Sequence, residues 1–142
     1  MFEKHRIAML DTDCSTMDDI KNAIKDKIGR SRVDMYPHPE KTEELLKNVD
    51  YYNIILINHH LENLNGAFVV RKILVTLPIQ ANIFIYAGNY HQEYNGFKFY
   101  LSIDQIKENP ECILNVEGTS VDRAVESVCL SKINPDKKLA VI

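Results

Sequence analysis

The 142-residue sequence contains no tryptophan, only three cysteines, and five residues each of glycine and proline. Cysteines at positions 14, 112 and 129 are too few and too scattered for a disulfide framework or a paired zinc motif. The longest apolar runs fall far short of the roughly 18–20 residues that a membrane span needs. The N-terminal residues also lack the apolar core of a secretory signal. We therefore expect a cytoplasmic protein with reduced thiols and no membrane partner.

Basic residues are not in excess. Lys and Arg number 17 against 20 Asp and Glu, which gives a net charge of −3 and excludes the basic footprint typical of nucleic-acid binding. Hydrophobic residues make up 45% and charged residues 26%, as in ordinary globular domains. No linker or repeat divides the chain. We expect one domain over residues 1–134 and a C-terminal tail over residues 135–142.

Short apolar segments alternate along the chain with amphipathic ones. The apolar segments predict strands that are buried on both faces: Arg6–Leu10, Arg32–Tyr36, Asn53–Ile57, Asn82–Tyr86 and Cys112–Val116. The other segments predict helices: one capped at Ser15 or Thr16 and ended by Gly29, then residues 40–49, Ala67–Leu77 and Ser120–Ile133. This alternation predicts an α/β fold with a doubly wound, five-stranded parallel sheet, altered around its fourth helix.

The segment over residues 97–101, FKFYL, leaves an alternative open. It alternates apolar and polar residues, so it is either an extra edge strand or the last strand of the sheet in a shifted alignment. In that case IDQIKEN, residues 103–109, becomes a short helix.

In a doubly wound sheet, ligands bind beyond the carboxyl ends of the strands. The side chains expected at that edge include several carboxylates and amides: Asp11, Thr12, Asp13, Asn58, His59, Tyr86, Ala87, Asn115 and Val116. The favoured interpretation of Asp11 and Asp13 is that they cap the first helix. The alternative is weak Mg²⁺ binding with help from Asn58, and no other cofactor is indicated.

Three segments resemble response-regulator receiver domains, which have the CheY-like fold. NIILINHHLENLNGAFVVRKI (53–73) resembles the strand that ends in the phosphoacceptor Asp, with a Gly eight residues later opening the next helix. IAMLDTDCSTMDDIKNAI (7–24) resembles the first strand, the acidic pair and the first helix, and NIFIYAG (82–88) resembles the fourth strand. The resemblance implies a signalling domain with a flavodoxin-like sheet.

The phosphorylation chemistry of that family needs groups that this sequence lacks. Asn58, a neutral amide, stands at the acceptor position, and the bulky Tyr86 stands where a small hydroxyl is expected. Asn115 falls at the lysine position, and Cys112 falls at the position of the switch aromatic. The acidic pair is Asp11 with Thr12 or Thr12 with Asp13, so one carboxylate is missing in either alignment. The resemblance therefore implies an atypical receiver, a pseudo-receiver with a degenerate phosphorylation site, no catalytic residue and no enzymatic activity.

Two rival functions stay open. One is a working phosphoacceptor receiver of a two-component system, and the other is a small α/β enzyme or ligand binder that uses Asp11, Asp13 and His59. A metal site at His59, His60 and His91, or a redox role for Cys14, is less favoured.

The least receiver-like segment, residues 89–111, is rich in aromatic residues. These residues suit a protein-interaction face: Tyr90, Tyr94, Phe97, Phe99 and Tyr100. Packing of the same rings onto the sheet is the favoured alternative. The partner that we expect is a signalling protein or, in a homodimer, a second copy of the chain.

Overall fold

A five-stranded parallel sheet forms the centre of the molecule. The computed structural model describes residues 4–76, 81–88 and 100–114. In chain order the strands of the sheet are β1 (His5–Asp11), β2 (Ser31–Pro37), β3 (Ile54–Asn58), β6 (Asn82–Ala87) and β7 (Tyr100–Ser102). They lie side by side in the order β2-β1-β3-β6-β7, and every neighbouring pair is parallel. A separate hairpin of two short strands, β4 (His60–Leu61) and β5 (Leu64–Asn65), follows β3.

Within the described ranges, four α-helices connect or follow the strands. They are α1 (Cys14–Lys27), α2 (Thr42–Lys47), α3 (Gly66–Thr76) and α4 (Ile103–Glu108), with 3-10 turns at Val49–Tyr51 and Pro110–Leu114. No helix among the described residues is long and apolar enough to cross a membrane. The α/β prediction of a doubly wound parallel sheet is confirmed.

Strand side chains alternate between two apolar layers. Ala8, Leu10, Ile55 and Ile57 belong to one buried cluster, which also contains residues of α2 and α3. Met9, Leu56 and Phe84 belong to the other, which also contains residues of α1 and α4. Because alternate residues of a strand face opposite sides, a run without polar residues can fill both layers. This explains why IILI is apolar at every position.

The predicted last strand, Cys112–Val116, is wrong. Residues 110–114 form a 3-10 helix that begins at Pro110, and its Ile113 is buried in the layer that contains α1. Proline has no backbone N–H for a sheet ladder, and a short apolar run cannot by its period be told from a buried helical turn. The fifth strand is instead β7, which pairs with β6 from Ile85↔Tyr100 to Ala87↔Ser102. This confirms the shifted alternative, including the short helix after it.

Other predictions concern residues outside the described ranges. These are the altered fourth-helix region over 89–99, the final helix Ser120–Ile133 and the tail 135–142.

The start of α1 also differs from the prediction. Asp13, rather than Ser15 or Thr16, is the N-cap, because its Oδ1 accepts from the backbone N–H of Ser15 (3.0 Å) and of Thr16 (3.4 Å). The capping interpretation of Asp13 is therefore confirmed.

Candidate functional site

Three polar side chains meet at the carboxyl ends of adjacent central strands. Asp11 ends β1, Asn58 ends β3, and Tyr86 lies one residue before the end of β6. Leu10 pairs with Ile57, and Asn58 pairs with Tyr86, so the three residues occupy neighbouring positions across the sheet. Each stands two residues after a member of the apolar layer beneath α1, namely Met9, Leu56 and Phe84. All three side chains consequently lie on the α1 side of the sheet.

The Asp11 carboxylate is the centre of this cluster. It is 1% exposed, and it accepts three hydrogen bonds. Asn58 Nδ2 and the Tyr86 hydroxyl both donate to Oδ2, at 2.9 and 2.6 Å, and the backbone N–H of Asp13 donates to Oδ1 at 3.0 Å. A buried carboxylate without partners would be very unfavourable, and these donors supply the compensation that burial requires.

Tyr86 is wholly buried, and its hydroxyl remains protonated. Desolvation raises the pKa of Tyr86 well above its ordinary value, and the adjacent charge of Asp11 and the hydrogen bond to it raise it further. A protonated phenol is the state that can donate to Asp11. The ring and hydroxyl of Tyr86 therefore occupy the space directly beside the Asp11 carboxylate.

The other two residues of the acidic segment have different roles. Besides its two backbone contacts, the Asp13 side chain accepts from the Thr16 hydroxyl at 2.9 Å, and these hydrogen bonds lower its pKa. Thr12 Oγ1 accepts from the backbone N–H of Glu62 at 2.8 Å. The Asp11 side chain accepts from the N–H of the N-cap residue Asp13 and otherwise contacts residues across the sheet, so the side chain that caps α1 is that of Asp13 and not that of Asp11.

The β4-β5 hairpin packs closely against this edge of the sheet. The N–H of Gly66 donates to the carbonyl of His59 at 2.7 Å, and a Cβ at Gly66 would lie 2.0 Å from the carbonyl oxygen of Asn58. The close approach of the two backbones therefore requires glycine at position 66. Nε2 of the buried His38 donates to the carbonyl of Glu62 at 3.1 Å. His38 and Glu62 were not among the predicted site residues, and nothing in their local sequence indicates this contact.

The receiver fold implies a bound Mg²⁺, but the side chains present do not fit one. Both oxygens of Asp11 already accept hydrogen bonds, and the Asp13 carboxylate caps α1. Asn58 turns its amide nitrogen to Asp11, while its Oδ1 accepts from the N–H of His60 at 2.7 Å. Mg²⁺ requires free oxygen lone pairs in an octahedral arrangement. Binding it here would require breaking several of these hydrogen bonds.

The other predicted strand-end residues and histidines that the structure describes have contacts outside this cluster. His59 is buried, and its backbone N–H donates to the carbonyl of Tyr86 at 2.8 Å, while the His60 side chain is exposed. Among the described residues, no group of three or more His, Cys, Asp or Glu side chains is arranged to hold a metal. His91, Asn115 and Val116 lie outside the described ranges, and Ala87 ends β6.

The positions assigned to the switch aromatic and the lysine depended on the predicted last strand, so these two assignments are wrong as well. Cys112 lies in a 3-10 helix rather than in a strand, and burial raises the pKa of its thiol. The last strand of the sheet ends at Ser102, whose hydroxyl caps α4 by accepting from the N–H of Gln105 at 3.0 Å. The strand end where the receiver resemblance expects a lysine therefore carries a serine.

Only one member of the predicted aromatic face lies in the described ranges. Tyr100 begins β7 and is partly buried against the apolar layer that contains α2 and α3. For Tyr100 the packing alternative is therefore the better description. Tyr90, Tyr94, Phe97 and Phe99 lie outside the described residues.

Comparison with known proteins gives structural but not sequence matches. No family model matches the chain, and no curated protein matches it. Among solved structures, a two-component transcriptional regulator AraC from Clostridium phytofermentans aligns with a TM-score of 0.58 and 19% identity, over 78% of this chain and 93% of that one. The receiver domain of the response regulator NarL from Mycobacterium tuberculosis aligns with 0.57 and 13%, over 89% and 97%. The receiver domain of the DNA-binding response regulator merR from Colwellia psychrerythraea aligns with 0.61 and 11%, over 88% and 98%.

These matches establish the class of fold. The chain has the fold of response-regulator receiver domains, and it covers 93–98% of the three solved chains named above. The site at the carboxyl edge differs in chemistry from the site that the resemblance implies, because an amide and a phenol surround its buried carboxylate.

Proposed function

We propose that this chain is an atypical receiver domain that acts in signal transduction through contacts with other proteins, without aspartyl phosphorylation. The observation that carries the proposal is the closed hydrogen-bonded cluster of Asp11, Asn58 and Tyr86. Phosphoryl transfer to a receiver needs a carboxylate nucleophile at the acceptor position and room for the phosphoryl group beside it. Position 58 offers an amide, and Tyr86 fills the adjacent space.

The proposal has a consequence for how such a domain signals. Receivers of the usual kind change state when a charged phosphoryl group binds. In this chain no comparable change of charge is available at position 58. We therefore propose that the domain is held in one state, or is shifted by a partner that binds one state more tightly. A cytoplasmic location and the absence of enzymatic activity stay predictions from the sequence.

An NMR titration tests the proposal directly. Amide spectra are recorded with Mg²⁺ and then with Mg²⁺ and beryllofluoride, which mimics a phosphoryl group, beside a phosphorylatable receiver as a positive control. We expect no saturable shift at residues 11–13, 58 or 86–87. Saturable shifts confined to these residues would contradict the proposal and support a working phosphoacceptor site.

A second measurement uses acetyl phosphate as the phosphoryl donor and intact-mass spectrometry as the readout. We expect no mass increase for the wild-type chain in the presence of Mg²⁺. We expect the same for the Asn58→Asp variant, because the Tyr86 side chain still fills the space beside position 58. Phosphorylation of Asn58→Asp alone would show that the Tyr86 side chain can move aside and is not the obstacle proposed here.

A further inference from the structure

The edge of the sheet farthest from β7 carries a second cluster of polar and aromatic side chains. β2 is the last strand in the order β2-β1-β3-β6-β7, and among the described residues it pairs with β1 alone. A groove of about 560 Å³ runs beside it, between β2, α2 and the 3-10 turn at Val49–Tyr51. An open edge strand is a template for pairing with another strand.

The side chains of β2 that face this groove alternate in charge. Arg32 and Asp34 are two residues apart and therefore lie on the same face, where Arg32 Nε contacts Asp34 Oδ2 at 3.2 Å. Both are accessible, with side-chain exposures of 51% and 29%. The Tyr52 hydroxyl donates to Asp34 Oδ2 at 2.8 Å, and Arg32 Nη1 donates to the Tyr51 hydroxyl at 3.3 Å.

Tyr51 adds an apolar surface next to the edge. Its exposed fraction is 42%, and among the described residues no other large hydrophobic residue is exposed. The guanidinium groups of Arg6 and Arg32 lie 5.1 and 5.5 Å from its ring centroid. Tyrosine and arginine are, with tryptophan, the residue types enriched at the energetic centres of protein interfaces.

We propose that β2 pairs antiparallel with β2 of a second copy of this chain, about a two-fold axis at Val33. In that register Arg32 of each copy lies opposite Asp34 of the other, on the face that bears the groove. Moving the axis by one residue in either direction places Arg32 opposite Arg32, or Asp34 opposite Asp34. Charge complementarity therefore selects the register centred on Val33, and it selects a second copy as the partner. This inference deepens the proposed function, because it names a protein that the domain contacts.

A mixing experiment with two charge-reversed variants tests the register. Arg32→Asp makes the edge acidic, with carboxylates at both positions, and Asp34→Arg makes it basic. Each variant alone faces like charges across the axis, so we expect its dimer dissociation constant to rise at least about tenfold. An equimolar mixture pairs an acidic edge with a basic edge, and we expect it to form a heterodimer at least as stable as the wild-type homodimer. Because mixing cannot repair an ion pair within one chain, the rescue reports contact between chains.

The readout is the oligomeric state by sedimentation velocity, over a range from micromolar to millimolar chain. Asp19 on α1 and Lys107 on α4 contact each other on the side of the sheet opposite Arg32, and their reversals, Asp19→Arg and Lys107→Asp, provide matched controls that we expect to leave dimerisation unchanged. Circular dichroism checks the folding of each variant. If Asp34→Arg does not fold, hydrogen exchange on the wild-type chain decides, because dimerisation must increase the protection of amides 32–36 as concentration rises.

Three results would overturn the inference. They are a wild-type chain that is monomeric at all concentrations, a dimer that both reversals leave intact, and an equimolar mixture that stays monomeric. These outcomes are separate from those of the phosphorylation tests. If the chain is monomeric and beryllofluoride causes no saturable NMR shifts, only the dimer is refuted. If the chain is a dimer and beryllofluoride does cause saturable shifts, only the closed phosphorylation site is refuted.

Discussion

The hydroxyl of Tyr86 offers the sharpest test of the site geometry. Replacing Tyr86 by Phe keeps the buried ring but removes the donor that lies 2.6 Å from Asp11 Oδ2. Asp11 would keep the amide of Asn58 and the N–H of Asp13 as donors. Hydrogen bonds to charged groups contribute about 1.5–3 kcal/mol, so we expect Tyr86→Phe to lower the free energy of unfolding by about that amount. For a chain of this size the corresponding fall in melting temperature is roughly 5–15 °C.

Urea unfolding followed by far-ultraviolet circular dichroism measures this loss, with an unchanged m-value as the check on two-state behaviour. Tyr51→Phe is the matched control, because the exposed Tyr51 hydroxyl only accepts a 3.3 Å bond from Arg32, and its removal should change stability by less than about 0.5 kcal/mol. A double-mutant cycle with Asp11→Asn isolates the contact, and we expect a coupling of at least about 1 kcal/mol. Equal losses in Tyr86→Phe and Tyr51→Phe, or a coupling near zero, would show that the phenol does not stabilise the buried carboxylate.

Four further outcomes follow from individual contacts. Because burial raises the pKa of Tyr86 well above the ordinary value of 10, the unfolded chain loses this proton at a lower pH than the folded chain, and the free energy of unfolding should fall as pH rises above 10. Urea titrations should show a smaller alkaline loss of stability for Tyr86→Phe than for the wild type. An identical pH profile for the two proteins would contradict the raised pKa. Gly66→Ala should cost more than about 2 kcal/mol or abolish soluble expression, because its Cβ would meet the Asn58 carbonyl, whereas Gly29→Ala, with no atom within 4 Å, should be neutral or slightly stabilising. Asn58→Asp places a second carboxylate beside Asp11, so its free energy of unfolding at pH 7 should be lower than that of the wild type by at least about 2 kcal/mol. The difference should be smaller near pH 5, because the new carboxyl group takes up a proton. A difference that does not change with pH would argue against charge repulsion. Asp13→Ala should lower the melting temperature at neutral pH by removing the cap of α1, and since hydrogen bonding lowers the pKa of Asp13, the difference from wild type should shrink as pH falls below 3.8.

Four of the five strands of the sheet and the first helix could be predicted from the sequence. The observed bounds of β1, β2, β3 and β6 differ from the predicted ones by at most one residue at each end. β1, β3 and β6 are short, mostly apolar runs in the middle of the sheet, and β1, β2 and β3 end at a polar residue or a proline. The apolar residues Met17, Ile20 and Ile24, spaced three or four positions apart, likewise form the buried face of α1.

The last strand could not be chosen from the sequence with the same rules. β7 has three residues, and only Leu101 among them is buried, while the more apolar CIL segment forms a 3-10 turn. A period of two cannot develop over so few residues. The error moved the predicted lysine and switch positions to Asn115 and Cys112, because both depended on the placement of that strand.

The contacts of the site required the register of the sheet as well as its strands. The sequence predicted that the ring of Tyr86 would occupy the phosphoryl space, but not that its hydroxyl would donate to Asp11. That contact depends on β1, β3 and β6 lying side by side, 75 positions apart along the chain at the extremes. The contact of His38 with the hairpin, through the Glu62 carbonyl, is equally non-local.

The three residues of the cluster form a set whose members depend on one another. A carboxylate that is 1% exposed needs donors, and Asn58 and Tyr86 supply two of the three that Asp11 has. Changing Asn58 alone to the acidic residue of a receiver replaces a donor with a second negative charge, and shortening Tyr86 alone leaves a cavity beside an under-satisfied carboxylate. Each single step toward a phosphorylatable site is therefore destabilising, and only a joint change at positions 58 and 86, with a metal to replace the lost donors, could open the site. The contacts that we propose to close the phosphorylation site should thus also contribute to the stability of the domain.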